Sequence, residues 1–166
     1  MKLYQLPTVV LREVYENPST LGVLPWLSRE RDTWWMQLAQ GGDNVPKILA
    51  ALPFLDNPSG GFEDLNSLVI GQAEPEPSGD DVTLMVVVTR DEVSRARLNE
   101  NLAKAGLKGY CADSRSPDTG DGDWLHLIEM PEFVAKNDPR LEELGKINGD
   151  GFIKAVILGA YAVPIQ

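Results

Sequence analysis

The chain has little of what most catalytic and metal centres are built from. Its 166 residues include one cysteine, Cys111, and one histidine, His126. A single thiol excludes an internal disulfide and fits a reducing compartment. Structural zinc takes four ligands, chiefly Cys and His, so one of each argues against such a site. A nucleophile triad would have to lean on His126 alone. Cys111 is expected to be a small buried hydrophobe and His126 a partly buried strand residue. No Gly-x-Gly-x-x-Gly follows a strand pattern and no Gly-Lys-Ser/Thr phosphate loop is present, so nucleotide binding is unsupported. Asp118, Asp121 and Asp123 lack the spacing and closing Glu of a calcium loop. No cofactor and no metal are expected.

Long apolar runs are also missing. The most apolar stretch, residues 155–165, is far shorter than the ~20 residues a membrane span needs. The first seven residues have no signal-peptide core. Positive charge is scarce: 25 acidic residues face 15 basic ones, for a net charge of -10. Such a surface repels phosphate backbones and anionic lipid, so neither nucleic acid nor membrane is an expected partner. The expectation is a soluble cytoplasmic protein.

What is present reads as two regions. In the first, Pro7-Thr8 opens a helical pattern with Val10, Leu11 and Val14 on one face, stopped by Asn17-Pro18. Residues 21–24 form a short apolar strand. Residues 28–40 suggest a helix ended by Gly41-Gly42. Residues 47–55 and 68–71 are further strand candidates, with a turn cluster at 57–61. Adjacent Trp34 and Trp35 would point differently on a helix, so one of them is expected to meet another surface. Residues 73–81, with two prolines and many polar groups, read as a linker.

The second region is more regular. Residues 82–89 are an almost continuous β-branched run, the mark of a strand buried on both faces. Residues 91–106 read as a helix with Asp91 as N-cap, Leu98, Leu102 and Ala105 inward, and Gly106 as its stop. Strands follow at 107–115 and 124–130, joined by a loop rich in Asp, Gly and Pro. Asp138-Pro139 starts a second helix, with Leu141, Leu144 and Ile147 inward. A turn at 148–151 leads to a last strand, 152–162. The order is β-α-β-β-α-β, the split βαβ of ferredoxin-like folds, with both helices on one face.

Three stretches then carry a family resemblance. Ala105-Gly106-Leu107 leading to Ala112-Asp113-Ser114-Arg115-Ser116-Pro117 resembles the "G-I-N…I-E-S-R-P" of the ACT domain that ends prephenate dehydratases. Asp138-Pro139-Arg140-Leu141-Glu142-Glu143-Leu144 resembles that domain's second helix. Val156-Ile157-Leu158-Gly159-Ala160-Tyr161 resembles its closing "V-L-G-S-Y-P". More faintly, residues 11–25 resemble the "G-V-V-P-I-E-N-S" region of the dehydratase domain. Here Trp26-Leu27-Ser28 follows Leu24-Pro25, so the Glu-Asn pair is missing. The Thr-Arg-Phe catalytic signature is missing too: Val82-Thr83-Leu84 runs straight into a strand.

The resemblance implies an α/β (α+β) chain. Residues 1–77 would be a truncated dehydratase-like segment, and residues 78–166 an ACT-type regulatory domain that self-associates, as a homodimer. It implies a ligand site built from Asp113, Ser114 and Arg115 with the loop Thr89, Arg90, Asp91 and Glu92. Arg115 would clamp the carboxylate of an amino acid, aromatic like phenylalanine, and Asp113 its ammonium. The family's "G-A-L" falls on Val93-Ser94-Arg95, which puts a long cation at that pocket. The bland alternative is an Arg115–Asp113 ion pair beside a hairpin. A different one is an enzyme related to chorismate mutase or prephenate dehydratase, for which Lys2, Arg12, Arg29, Arg31 and Lys47 are the nearby cations.

Overall fold

The structure, a computed structural model, describes residues 2–4, 6–26, 33–52 and 67–163. It divides into two compact units, one of Met1–Asp81 with Gly159–Gln166 and one of Val82–Leu158.

The first unit opens with helix α1, Pro7–Glu16, which starts on Pro7, where the missing N–H would have no partner in any case. Leu11 and Val14 are its buried residues. Strands β1 (Gly22–Pro25), β2 (Lys47–Leu52) and β3 (Ser67–Gly71) pair antiparallel in the order β1-β3-β2. The end of strand β7 (Phe152–Ala162) runs parallel to β2, with Ile48 opposite Gly159. Gly159 has φ 144, and a Cβ there would collide with the backbone N and O of Ile48. Only glycine permits this close approach in mid-strand.

Two sequence expectations are corrected here. The helix expected over 28–40 is, among the described residues, only the four residues of α2, Trp35–Leu38; residues 27–32 lie outside the description. Neither tryptophan is left for another surface. Trp34 and Trp35 are both buried, and the Trp34 indole N–H donates to the Pro25 carbonyl at 3.2 Å. The expected strand 47–55 ends its described part at Leu52, and the 57–61 turn cluster lies outside the described residues. The polar segment before the second unit is tied down at its end. Asp81 is buried and accepts from the Ser78 N–H, the Ser78 hydroxyl and the Gly79 N–H.

The second unit is built from β4 (Asp81–Thr89), α3 (Arg95–Lys104), β5 (Tyr110–Arg115), β6 (Trp124–Met130), α4 (Pro139–Asn148), a single 3-10 turn (Gly149–Gly151) and β7. The strand order is β7-β4-β6-β5, with β4–β6 and β5–β6 antiparallel. Met85 and Val87 of β4, Ile128 and Met130 of β6, and Ile157 of β7 pack with Leu98, Leu102 and Ala105 of the first helical segment and Leu144 of α4. Both helices therefore cover one sheet face, as the pattern predicted. Gly106 has φ 78; its N–H donates to Ala103 O while the Leu107 N–H reaches back to Leu102 O, a left-handed glycine stop. Asp138 caps α4 by accepting from the Arg140 N–H.

The other helix start is a correction. Ser94, not Asp91, caps α3, its hydroxyl accepting from the Arg97 N–H at 3.2 Å. The Asp91 carbonyl is taken by the Thr89 hydroxyl at 2.7 Å, which holds residues 90–91 in a bend and delays the helix.

Candidate functional site

The residues expected to form the site are in the second unit, at the ends of β4 and β5, and β6 joins them. Cross-strand partners on β6 set the geometry: Thr89 faces Trp124, Val87 faces His126, and Ser114 also faces His126. A bulge between Cys111 and Asp113 shifts the β5 register by one residue. In a regular strand, residues three apart point to opposite faces. The bulge brings Cys111 and Ser114 to the same face, with Sγ 3.4 Å from Oγ.

The centre of the arrangement is His126, which sequence reasoning treated as partly buried and which is fully buried. Its Nδ1 lies 2.9 Å from Ser114 Oγ and its Nε2 2.9 Å from Thr89 Oγ1. The proton positions follow by elimination. Thr89 spends its only proton on the Asp91 carbonyl, so it accepts from His126 Nε2–H. Nδ1 then carries the lone pair and accepts from the Ser114 hydroxyl. The imidazole is thus neutral with one fixed tautomer, and burial lowers its pKa to about 4. The ring stacks beside Trp124, with centroids 6.4 Å apart and planes 11° apart. The signal for this burial was available: position 126 shares its period-two face with Ile128 and Met130.

Ser114 and His126 stand at the spacing of a nucleophile and its base, yet the environment does not suit acyl transfer. That chemistry forms an imidazolium, which a carboxylate on the far nitrogen stabilises. Here the far nitrogen meets a threonine hydroxyl in a buried setting. The thiol of Cys111 is likewise no nucleophile: it is buried, and burial raises its pKa.

Asp113 and Arg115 lie at the rim. Arg115 Nε donates to Asp113 Oδ2 at 2.8 Å, and Asp113 Oδ1 accepts from the Ser114 N–H at 2.9 Å. Arg95 approaches the same carboxylate, Nη2 to Oδ1 at 3.9 Å. The long cation expected near the pocket therefore reaches toward Asp113, and two guanidiniums flank one carboxylate. The expected loop is exposed from Arg90 to Glu92 while Thr89 is buried. The Arg90 N–H donates to Gly151 O at 2.9 Å, fixing the loop to the turn that precedes β7. Asn99 of α3 holds the Cys111 N–H at 2.8 Å. Thr83 is fully buried and structural: its hydroxyl donates to Glu132 O and accepts from the Val134 N–H.

Among the described residues no three His, Cys, Asp or Glu side chains converge as metal ligands, and no helix is long and apolar enough to cross a membrane.

No family model matches the chain, and no curated protein matches it by sequence. Solved structures do match in fold. The quorum-quenching acylase GqqA superposes with a TM-score of 0.65 at 14% identity, covering 96% of this chain and 81% of that one. Prephenate dehydratase from Streptococcus mutans gives 0.63 at 18% identity, covering 97% and 84%. Prephenate dehydratase from Staphylococcus aureus gives 0.59 at 12%, covering 96% and 89%. The chain therefore has a mixed α/β fold similar to that of prephenate dehydratase chains.

Proposed function

We propose that this protein is a non-catalytic, ligand-sensing relative of prephenate dehydratase. Its second unit would act as a ferredoxin-like ACT-type domain that binds an amino acid, aromatic and of the phenylalanine kind. The observation that carries this reading is the His126 bridge. The segments 89–92 and 113–115, singled out from separate parts of the sequence, are tied through one imidazole with 2.9 Å bonds on both sides. A fixed frame of this kind suits recognition, because it holds the exposed donors beside it in place before the ligand arrives.

The roles shift from those the resemblance implied. Asp113 is already engaged by Arg115 and approached by Arg95, so its task is to orient the two guanidiniums. The ligand carboxylate docks on that pair, and the loop with Asp91 and Glu92 meets its ammonium. β5 carries this rim and, among the described residues, is the end strand of its unit, next to β6. A second copy laid along it would complete a dimeric site. Absence of the Glu-Asn pair and of the Thr-Arg-Phe signature supports lost catalysis.

Thermal shift against phenylalanine, tyrosine, tryptophan, prephenate and chorismate tests the reading. A ligand that binds only the folded chain must raise the melting point. A rise with one amino acid, lost in Arg115→Ala while the fold persists, is the expected result. Turnover of prephenate or chorismate that survives repurification would replace it with the enzyme reading.

A further inference from the structure

The first unit contains a separate groove of about 330 Å³ between α1 and the segment 37–46. That volume is near the lower end of ligand pockets, about 300–1,000 Å³. Its floor is apolar and firm: Leu11, Leu38 and Pro46 are all buried. Its rim is polar, with Arg12, Tyr15 and Gln37 exposed. Among the described residues no acidic side chain lines it. Arg12 has no ion-pair partner among the described residues.

We propose that this groove binds a small organic monocarboxylate with an aromatic or branched apolar body. The charge balance selects the anion. A chain with net charge -10 repels free anions in general, so a carboxylate must find a local cation that no acid neutralises. Among the described residues Arg12 is such a cation, paired with no acid, and its planar fork suits a carboxylate. The leucine and proline floor takes the apolar body, and the Tyr15 ring forms a side wall with both apolar and hydrogen-bonding character. The Gln37 amide adds a neutral donor. A phosphate or a dicarboxylate would leave charge unmatched by one guanidinium, and a sugar would leave the floor wet.

The site lies wholly within the first unit, so it does not depend on the amino-acid site proposed for the second. The test uses the full chain, 3-phenylpropanoate as probe and its neutral amide as control, read by amide chemical shifts. Expected are shifts centred on residues 8–15 and 37–46, with a dissociation constant at or below about 1 mM. Arg12→Ala, an exposed change, should weaken binding about tenfold, the amide should bind similarly poorly, and Arg115→Ala should change nothing. Equal binding of probe and amide, equal binding to Arg12→Ala, shifts centred on residues 89–115, or no shifts at all would each overturn the proposal. If Arg12→Ala disturbs the fold, Tyr15→Leu supplies the second readout: it should weaken the aromatic probe more than a branched aliphatic acid.

Discussion

The cluster around His126 and the cluster around Arg140 lie in the same unit and handle polarity in opposite ways. His126 is buried with two hydroxyls, carries no charge, and every proton in it has one destination. Arg140 keeps about a third of its side chain in solvent and meets two acids, Glu132 and Asp138, together with the Gly106 carbonyl. One cluster avoids the cost of a buried ion by staying neutral. The other keeps its ions where water still reaches them and gains from a forked guanidinium geometry. Both bridge distant segments: the first joins β4, β5 and β6, the second joins the glycine stop of α3 to the cap of α4. A neutral buried bridge fixes geometry at the risk of a large penalty when one member is lost. A charged surface bridge is forgiving.

The largest test of that contrast is His126→Ala. It removes the partner of Thr89 and of Ser114 at once and leaves a hole beside Trp124. Two lost hydrogen bonds, one at buried Thr89 and one at part-buried Ser114, together with a cavity should cost about 3 kcal/mol, read as a lower midpoint in urea. Equal stability would show that the bridge is incidental, and would weaken the proposed ligand frame with it.

Next is the pH response. His126 is held neutral in the folded chain, with its pKa lowered to about 4 from an unfolded value of 6.5. Its stability contribution is complete above pH 6.5 and is lost as pH falls toward 4, because only the unfolded chain takes up the proton. Within that window the loss should approach about 1.4 kcal/mol per pH unit. His126→Gln keeps hydrogen-bonding capacity without titrating and should flatten this part of the curve. The surface cluster responds lower down. Hydrogen bonds from Arg140 lower the Asp138 pKa below 3.8, so its share persists above that value and disappears only as pH falls through the depressed one.

Arg140→Ala should be milder, about 1–2 kcal/mol, since the acids it abandons are open to water but the Gly106 carbonyl loses a donor. Arg140→Lys should recover only part of this, because an ammonium cannot hold Asp138 and Glu132 in one plane. Thermal melts of the three proteins at pH 7 give the comparison directly.

How much of this was legible depended on whether the signal was local. The β-branched run of β4, the Asp138-Pro139 start of α4 and the Gly106 stop each follow from a few adjacent residues, and each stands where the sequence put it. The start of α3 was not decidable locally. Asp91 and Ser94 are both good caps, and the choice falls to Ser94 because the Thr89 hydroxyl takes the Asp91 carbonyl. The β5 bulge was invisible as well, since alternation in Cys111-Ala112-Asp113-Ser114 does not reveal an inserted residue. Without it, Ser114 would face away from His126, and the candidate site would have no centre. The residues of the candidate site were named by resemblance alone, while the side chain that joins two of them, His126, was read as a partly buried strand residue.

Salt gives the smallest effect and separates the two clusters most cleanly. At about 0.1 M ionic strength charges are screened over about 10 Å, and at 1 M over about 3 Å. The exposed pairs of Arg140 should lose a few tenths of a kcal/mol over that range. The His126 bridge contains no ion at pH 7, so screening has nothing to act on. Raising sodium chloride should therefore shrink the stability difference between wild type and Arg140→Ala. The difference between wild type and His126→Ala should stay constant, because general salt effects cancel within each pair. A salt-dependent His126→Ala difference would mean that a charge sits within reach of the imidazole. The flanking guanidiniums of Arg95 and Arg115 would then be the first groups to replace, one at a time, in the same titration.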